Sequence, residues 1–127
     1  MNERREVCFI IGAQDVILWA DASGNPVALP DRRSRWEAIW DLREQIVEIA
    51  HTHPLGGAAF STEDLTTMHA LDSALGRALR YAVVTPDAML RRVPTRDGAI
   101  DHFETTEPWW TPLIRLASGI QPPNEET

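Results

Sequence analysis

The sequence predicts an α/β (α+β) fold, a single domain in which helices flank a mixed β-sheet. Short apolar runs at residues 7–11, 16–19, 46–50 and 81–84 have the length of buried strands and are bounded by turn formers. Between the last two lies a longer stretch with helical periodicity, the pattern of a strand–helix–strand unit. The 127 residues are 43% hydrophobic and 24% charged, which suits one globular domain. That domain is expected over residues 1–120, with 121–127 as a frayed acidic tail. Five or six strands and two or three helices account for the whole.

In chain order, the first two apolar runs read as strands joined through Gly12 and the polar pair Gln14-Asp15. Residues 21–26 are rich in turn formers and read as a loop. Ser34 and Glu37 have capping-box spacing, which predicts a helix start. Trp36, Ile39, Trp40 and Arg43 then follow at helical intervals, so both tryptophans are expected to face the core. Residues 46–50 form a strand that runs into His51-Thr52-His53 and ends at Pro54. A second helix starts at Ser61, carries Leu65, Met68, Leu71 and Leu75 on one face, and stops at Gly76. Tyr81 to Val84 form a strand. Asp97-Gly98 marks a hairpin between strands near 89–93 and 99–103. Pro108-Trp109-Trp110 opens a closing element whose tryptophans are expected to pack in the core.

Twelve basic against nineteen acidic side chains leave a net charge of −7, so no nucleic acid is expected as a partner. No apolar run approaches a membrane span, and residues 1–6 lack the apolar stretch of a signal peptide. Cys8 is the single cysteine, so no internal disulfide forms and a cytoplasmic location is expected. All twelve basic residues are arginine. GC-rich codon usage accounts for this. So does a chemical reading, in which a chain without lysine offers no side-chain amine to a conjugating enzyme.

The chemistry concentrates in His51-Thr-His53-Pro54 followed, after six residues, by Ser61-Thr-Glu-Asp64. Residues two apart on a strand share a face, so His51 and His53 can converge on one ion. Asp64, in the first turn of the next helix, can add a carboxylate. Two imidazoles and one carboxylate make a three-ligand zinc site with a position left for water, whose pKa zinc lowers to ~7. A water nucleophile needs a base, and Glu6 opens a strand that can lie beside the histidine strand. Ser61 has a hydroxyl able to stabilise an oxyanion. Ser61 and Asp64 also form a helix-start pattern, and the two roles are compatible. Glu3 is the substitute base if the register slips. Glu48 points away from the histidines, and Glu37, His69 and His102 read as structural. Cys8 reads as a small core residue.

This pattern, with Glu6-Val-Cys-Phe-Ile-Ile-Gly12 before it, resembles the JAMM (MPN-plus, JAB-domain) zinc metalloproteases, in a prokaryotic deubiquitinase-like branch. The resemblance covers most of residues 6–90. It implies an MPN/JAB-like sheet with cytidine-deaminase-like layering, Zn2+ on His51, His53 and Asp64, acid/base work by Glu6 and oxyanion support from Ser61. It also implies a hydrolase that removes a ubiquitin-like protein from its conjugates or trims its C-terminus. Activating and conjugating enzymes, in some cases of antiviral systems, are the implied partners. Two alternatives stay open: a metal-free MPN-type scaffold, and a RadC-like DNA-associated protein. Pro54-Leu55-Gly56 and the basic Arg91, Arg92 and Arg96 suit the latter.

Overall fold

A computed structural model describes residues 4–22 and 33–120. Its strands are β1 (Val7–Gly12), β2 (Ile17–Ala22), β3 (Ile46–Thr52), β4 (Arg80–Val84), β5 (Met89–Thr95) and β6 (Gly98–Phe103). Its helices are α1 (Arg33–Asp41), α2 (Thr62–Leu75) and α3 (Trp110–Ser118). The strands make one sheet in the order β2-β1-β3-β4-β5-β6. β3 and β4 are parallel, joined by a crossover through α2, and all other neighbours are antiparallel. The mixed α+β fold expected from the sequence is present. Asp21 and Ala22 of the expected loop belong to β2; its remainder, Glu3 and the expected 121–127 tail lie outside the described residues.

The strand period of two divides the core between the sheet faces. Cys8, Ile10, Ile49 and Tyr81 pack on one side with Ile39 of α1 and Met68 and Leu71 of α2. Phe9, Ile11, Ala50, Ala82 and Val84 pack on the other with Trp110 and Ile114 of α3. β1 is covered on both faces and paired on both edges, which explains its unbroken apolar run. Phe9 and Trp110 meet edge to face with ring centroids 6.4 Å apart.

Local chemistry sets the joints. Gln14 and Asp15, in the single 3₁₀ turn between β1 and β2, adopt positive φ of 60° and 59°. The indole N–H groups of Trp109 and Trp110 hold that turn, donating to the Asp15 carbonyl at 2.8 Å and its carboxylate at 3.1 Å. α2 ends at Gly76, whose left-handed φ of 73° suits a residue without Cβ.

Four expectations need correction. Arg33 is already helical, so Ser34 lies inside α1, and Glu37 accepts from Arg33 at 2.9 Å, an i,i+4 pair. Only Ile39 of α1 is buried; Trp36 and Trp40 are exposed, and Trp40 carries the Arg43 guanidinium 3.9 Å above its ring. The β5–β6 hairpin forms, but Thr95 pairs with Gly98, so Arg96-Asp97 is the turn and Gly98 opens the strand. Trp110 is core, whereas Trp109 is 60% exposed.

On the α3 side of the sheet, Glu48 is fully buried. Arg80 donates to it at 3.0 Å and Arg91 donates twice, both bonds at 2.8 Å. Arg91 also binds Glu104 at 2.9 Å. Breaking such a set leaves guanidinium charge without its carboxylate. Glu48→Gln is expected to cost about 3 kcal/mol, read as a lower urea midpoint with an unchanged denaturant slope.

Candidate metal centre

Each side chain of the centre is positioned by an ordinary structural device. Cys8 pairs with His51 across the antiparallel β1–β3 ladder. Extending that register by two residues sets Glu6 opposite His53 and on the same face. On the other flank of β3, the His53 N–H donates to the Val84 carbonyl at 2.9 Å, continuing the pairing with β4. Both imidazoles therefore leave the same strand end towards α2.

α2 begins there with a capping box. The Asp64 N–H donates to Ser61 Oγ at 3.0 Å, and the Ser61 N–H donates to Asp64 Oδ2 at 2.9 Å. The device that starts the helix thus fixes the carboxylate. His51 Nε2 lies 3.3 Å from Asp64 Oδ1, and His53 Nε2 lies 3.4 Å from Oδ2. The two Nε2 atoms are 3.1 Å apart. Ligands 2.0–2.1 Å from a tetrahedral ion stand about 3.3 Å from one another. The three side chains accordingly already have the spacing of one face of such a site. Among the described residues they form the one group of this kind.

His53 also has its proton placed. Its Nδ1 lies 3.2 Å from the Gly57 carbonyl, which can only accept, so Nδ1 carries the hydrogen and neutral His53 presents a lone pair at Nε2. Protonated at Nε2 as well, His53 donates to Asp64, and this raises its pKa against the effect of burial. For Asp64, burial pushes the carboxyl up, but hydrogen bonds from His51 and His53 outweigh it and hold the group below the usual carboxylate range. The donor set of two imidazoles and one carboxylate fits a metal ion.

These residues line a cleft of about 540 Å³ shared with Glu6, Cys8 and Ser61. Glu6 is 7% exposed, and its charge is felt at both His53 and Cys8. Burial pushes the Cys8 thiol up to about 12, which leaves it a poor nucleophile at neutral pH. All five expected site residues therefore come together. Glu48 faces the opposite side, His69 lies exposed on α2, and His102 pairs with Glu104 at 3.0 Å outside the cleft.

The sequence reading missed three supports. Gly57 contributes only a backbone carbonyl, for which no residue-type signal exists. Arg35 lines the cleft from α1 and binds Asp21 at 3.2 Å. Thr52, between the histidines, is fully buried on the far face; its place in the alternation was the available signal.

No helix among the described residues is long and apolar enough to cross a membrane. No curated protein matches the chain. Residues 2–95 match the family described as prokaryotic homologs of the JAB domain. That span holds β1 to β5 and all five expected site residues, so the chain belongs to the prokaryotic JAB-domain family.

Proposed function

We propose that the protein is a zinc-dependent hydrolase that cleaves the amide bond following the C-terminus of a ubiquitin-like protein, either in a conjugate or in a precursor extension. One observation supports this above others: three ligand atoms already spaced for a tetrahedral ion, in a cleft that also contains a buried glutamate and a serine hydroxyl. Family membership supports it independently. The cleft opens beside a strand end, where an extended C-terminal tail can dock.

His51, His53 and Asp64 hold the ion. When bound, zinc supplies a Lewis acid that brings the pKa of water down to ~7. Glu6 takes one proton from the attacking water as its oxygen bonds to the amide carbon. The Ser61 Oγ accepts from the Asp64 N–H, which leaves its own hydrogen to donate to the carbonyl oxygen as negative charge develops there. Glu6 then returns its proton to the departing nitrogen as the C–N bond breaks; the remaining proton of the water passes from the new carboxyl group to the freed amine, and a carboxylate and an ammonium leave.

The basic residues considered for DNA favour this reading over the RadC-like one. Arg91 is engaged by Glu48 and Glu104, and Arg92 binds Asp101 through two bonds of 2.6 and 2.7 Å. Two of the three arginines are thus paired with carboxylates. A cytoplasmic setting beside activating and conjugating enzymes belongs to the same proposal.

A ubiquitin-like protein carrying a fluorogenic amide on its C-terminal glycine provides the assay. His53→Ala is expected to weaken zinc binding at least about 100-fold and to abolish turnover. Glu6→Gln is expected to bind zinc like the wild type and to lose about 10²–10⁴ in kcat. Full activity in Glu6→Gln overturns the assignment of the base, and a zinc-loaded wild type that cleaves neither conjugate nor extension overturns the function.

Reagents separate the two nucleophiles available in the cleft. A chelator is expected to abolish activity reversibly. Iodoacetamide at pH 8 is expected to leave it intact and to label Cys8 only after unfolding, checked by mass spectrometry.

A further inference from the structure

Glu6 lies just outside the regular strand that carries it. β1 begins at Val7, and the β1–β3 ladder begins at Cys8. A residue beyond the last rung of a sheet frays unless something else ties it down, yet a proton-transferring carboxylate must be held closely. The peptide groups on either side of it are held from two places distant in the sequence.

The residues on either side of Glu6 are bonded to two fully buried hydroxyls. The Val7 N–H donates to Thr52 Oγ1 at 2.9 Å. Thr52 Oγ1 and Ser118 Oγ are 3.0 Å apart. Ser118 Oγ also donates to the Arg5 carbonyl. Each hydroxyl has one proton, and a carbonyl can only accept. The Ser118 proton is therefore committed to Arg5, and the proton between the hydroxyls is that of Thr52. The bonds run in one direction: Val7 N–H to Thr52, Thr52 to Ser118, Ser118 to the Arg5 carbonyl. Each of the two hydroxyls thus accepts one bond and donates one, and both ends of the relay close on the peptide groups flanking Glu6.

α3 reinforces this clasp. The Arg5 N–H donates to the Ser118 carbonyl at 3.0 Å, and Arg5 Nε donates to the Ala117 carbonyl at 2.9 Å. These carbonyls belong to the last turn of α3, which lacks partners within the helix and favours a cation. Thr52 stands between His51 and His53, so the same clasp refers Glu6 to the strand that carries both imidazoles. Ser118 lies beyond the residues 2–95 that match the family.

We infer that Thr52 and Ser118 are positioning residues, which fix the Glu6 carboxylate relative to the two histidines through a hydroxyl relay closing on the backbone of Arg5 and Val7. The inference rests on the hydrolase reading for its effect on rate; the clasp itself does not.

Thr52→Val and Ser118→Ala test it, with Thr52→Ser as the conservative control. Valine keeps the volume of threonine and removes only the relay. Each full-length variant is loaded with zinc and assayed on the C-terminal fluorogenic amide, and Co2+ affinity and amide hydrogen exchange are measured alongside. Thr52→Val and Ser118→Ala are expected to lower kcat about 10- to 100-fold, the cost of a misplacement near 1 Å. KM and Co2+ affinity are expected to stay within about twofold, and Thr52→Ser to restore most of the rate. The Val7 amide is expected to exchange at least about tenfold faster in Thr52→Val, with β4 and β5 unchanged. Wild-type kcat in both relay variants, with Glu6→Gln inactive, overturns the positioning role and leaves the hydrolase reading standing. A parallel loss of Co2+ affinity also overturns it, because the defect is then a collapsed site. If the wild type turns over nothing, the hydrolase reading fails and exchange alone decides: faster exchange at Val7 supports the relay, and unchanged exchange overturns it.

Discussion

The register between β1 and β3 is the constraint on which the site depends. With Cys8 opposite His51, Glu6 falls opposite His53 and every even-numbered residue of β1 faces α2. A slip of one residue would turn Glu6 to the α3 side and present Val7 to the histidines. The core prevents the slip. Ile10 and Phe9 are both buried, on opposite faces, in pockets shaped by different helices. Hydrophobic packing along the whole strand thereby fixes a single carboxylate at its end.

The other half of the centre depends on a helix cap. Ser61 and Asp64 satisfy one another's backbone donors, which α2 needs whether or not an ion is present. In the same geometry, Asp64 offers its oxygens to the two imidazoles. A carboxylate at an exposed helix start would otherwise sample several rotamers, and ordering it would oppose ligand binding. Here the fold has already met that cost, so the centre is preorganised by an element that forms for its own reasons.

Much of this was legible in the sequence because it rests on local periodicities. Strand alternation placed His51 and His53 together and sent Glu48 away, and the capping pattern located the start of α2. The legible part stops where side-chain fate depends on what packs opposite. Trp36 and Trp40 have core-like spacing, yet Ile39 is the one residue of α1 that is buried, and both tryptophans are left outside. Asp97-Gly98 has the composition of a two-residue turn, but cross-strand pairing starts at Gly98 and moves the turn back by one. Thr52 and Ser118 are separated by 66 positions; no local pattern joins them, and only the docking of α3 on the sheet brings their hydroxyls together.

The sheet buries two glutamates, and the contrast between them bears on the proton-transfer role proposed for Glu6. Glu48 lies on the α3 face, its oxygens taking three hydrogen bonds from Arg80 and Arg91. Transferring a proton there would break charge-assisted bonds. Glu6 lies on the opposite face, at the mouth of the strand, within the cleft that contains the imidazoles. The arginines that hold Glu48 come from β4 and β5, on the far side of β3 from β1. Sheet order therefore puts Arg80 and Arg91 beside one acid and the histidines beside the other. Two side chains of the same type thus have different surroundings: Glu48 is fixed as a structural anion, and Glu6 shares the cleft with the imidazoles, where the proposed proton transfer needs it.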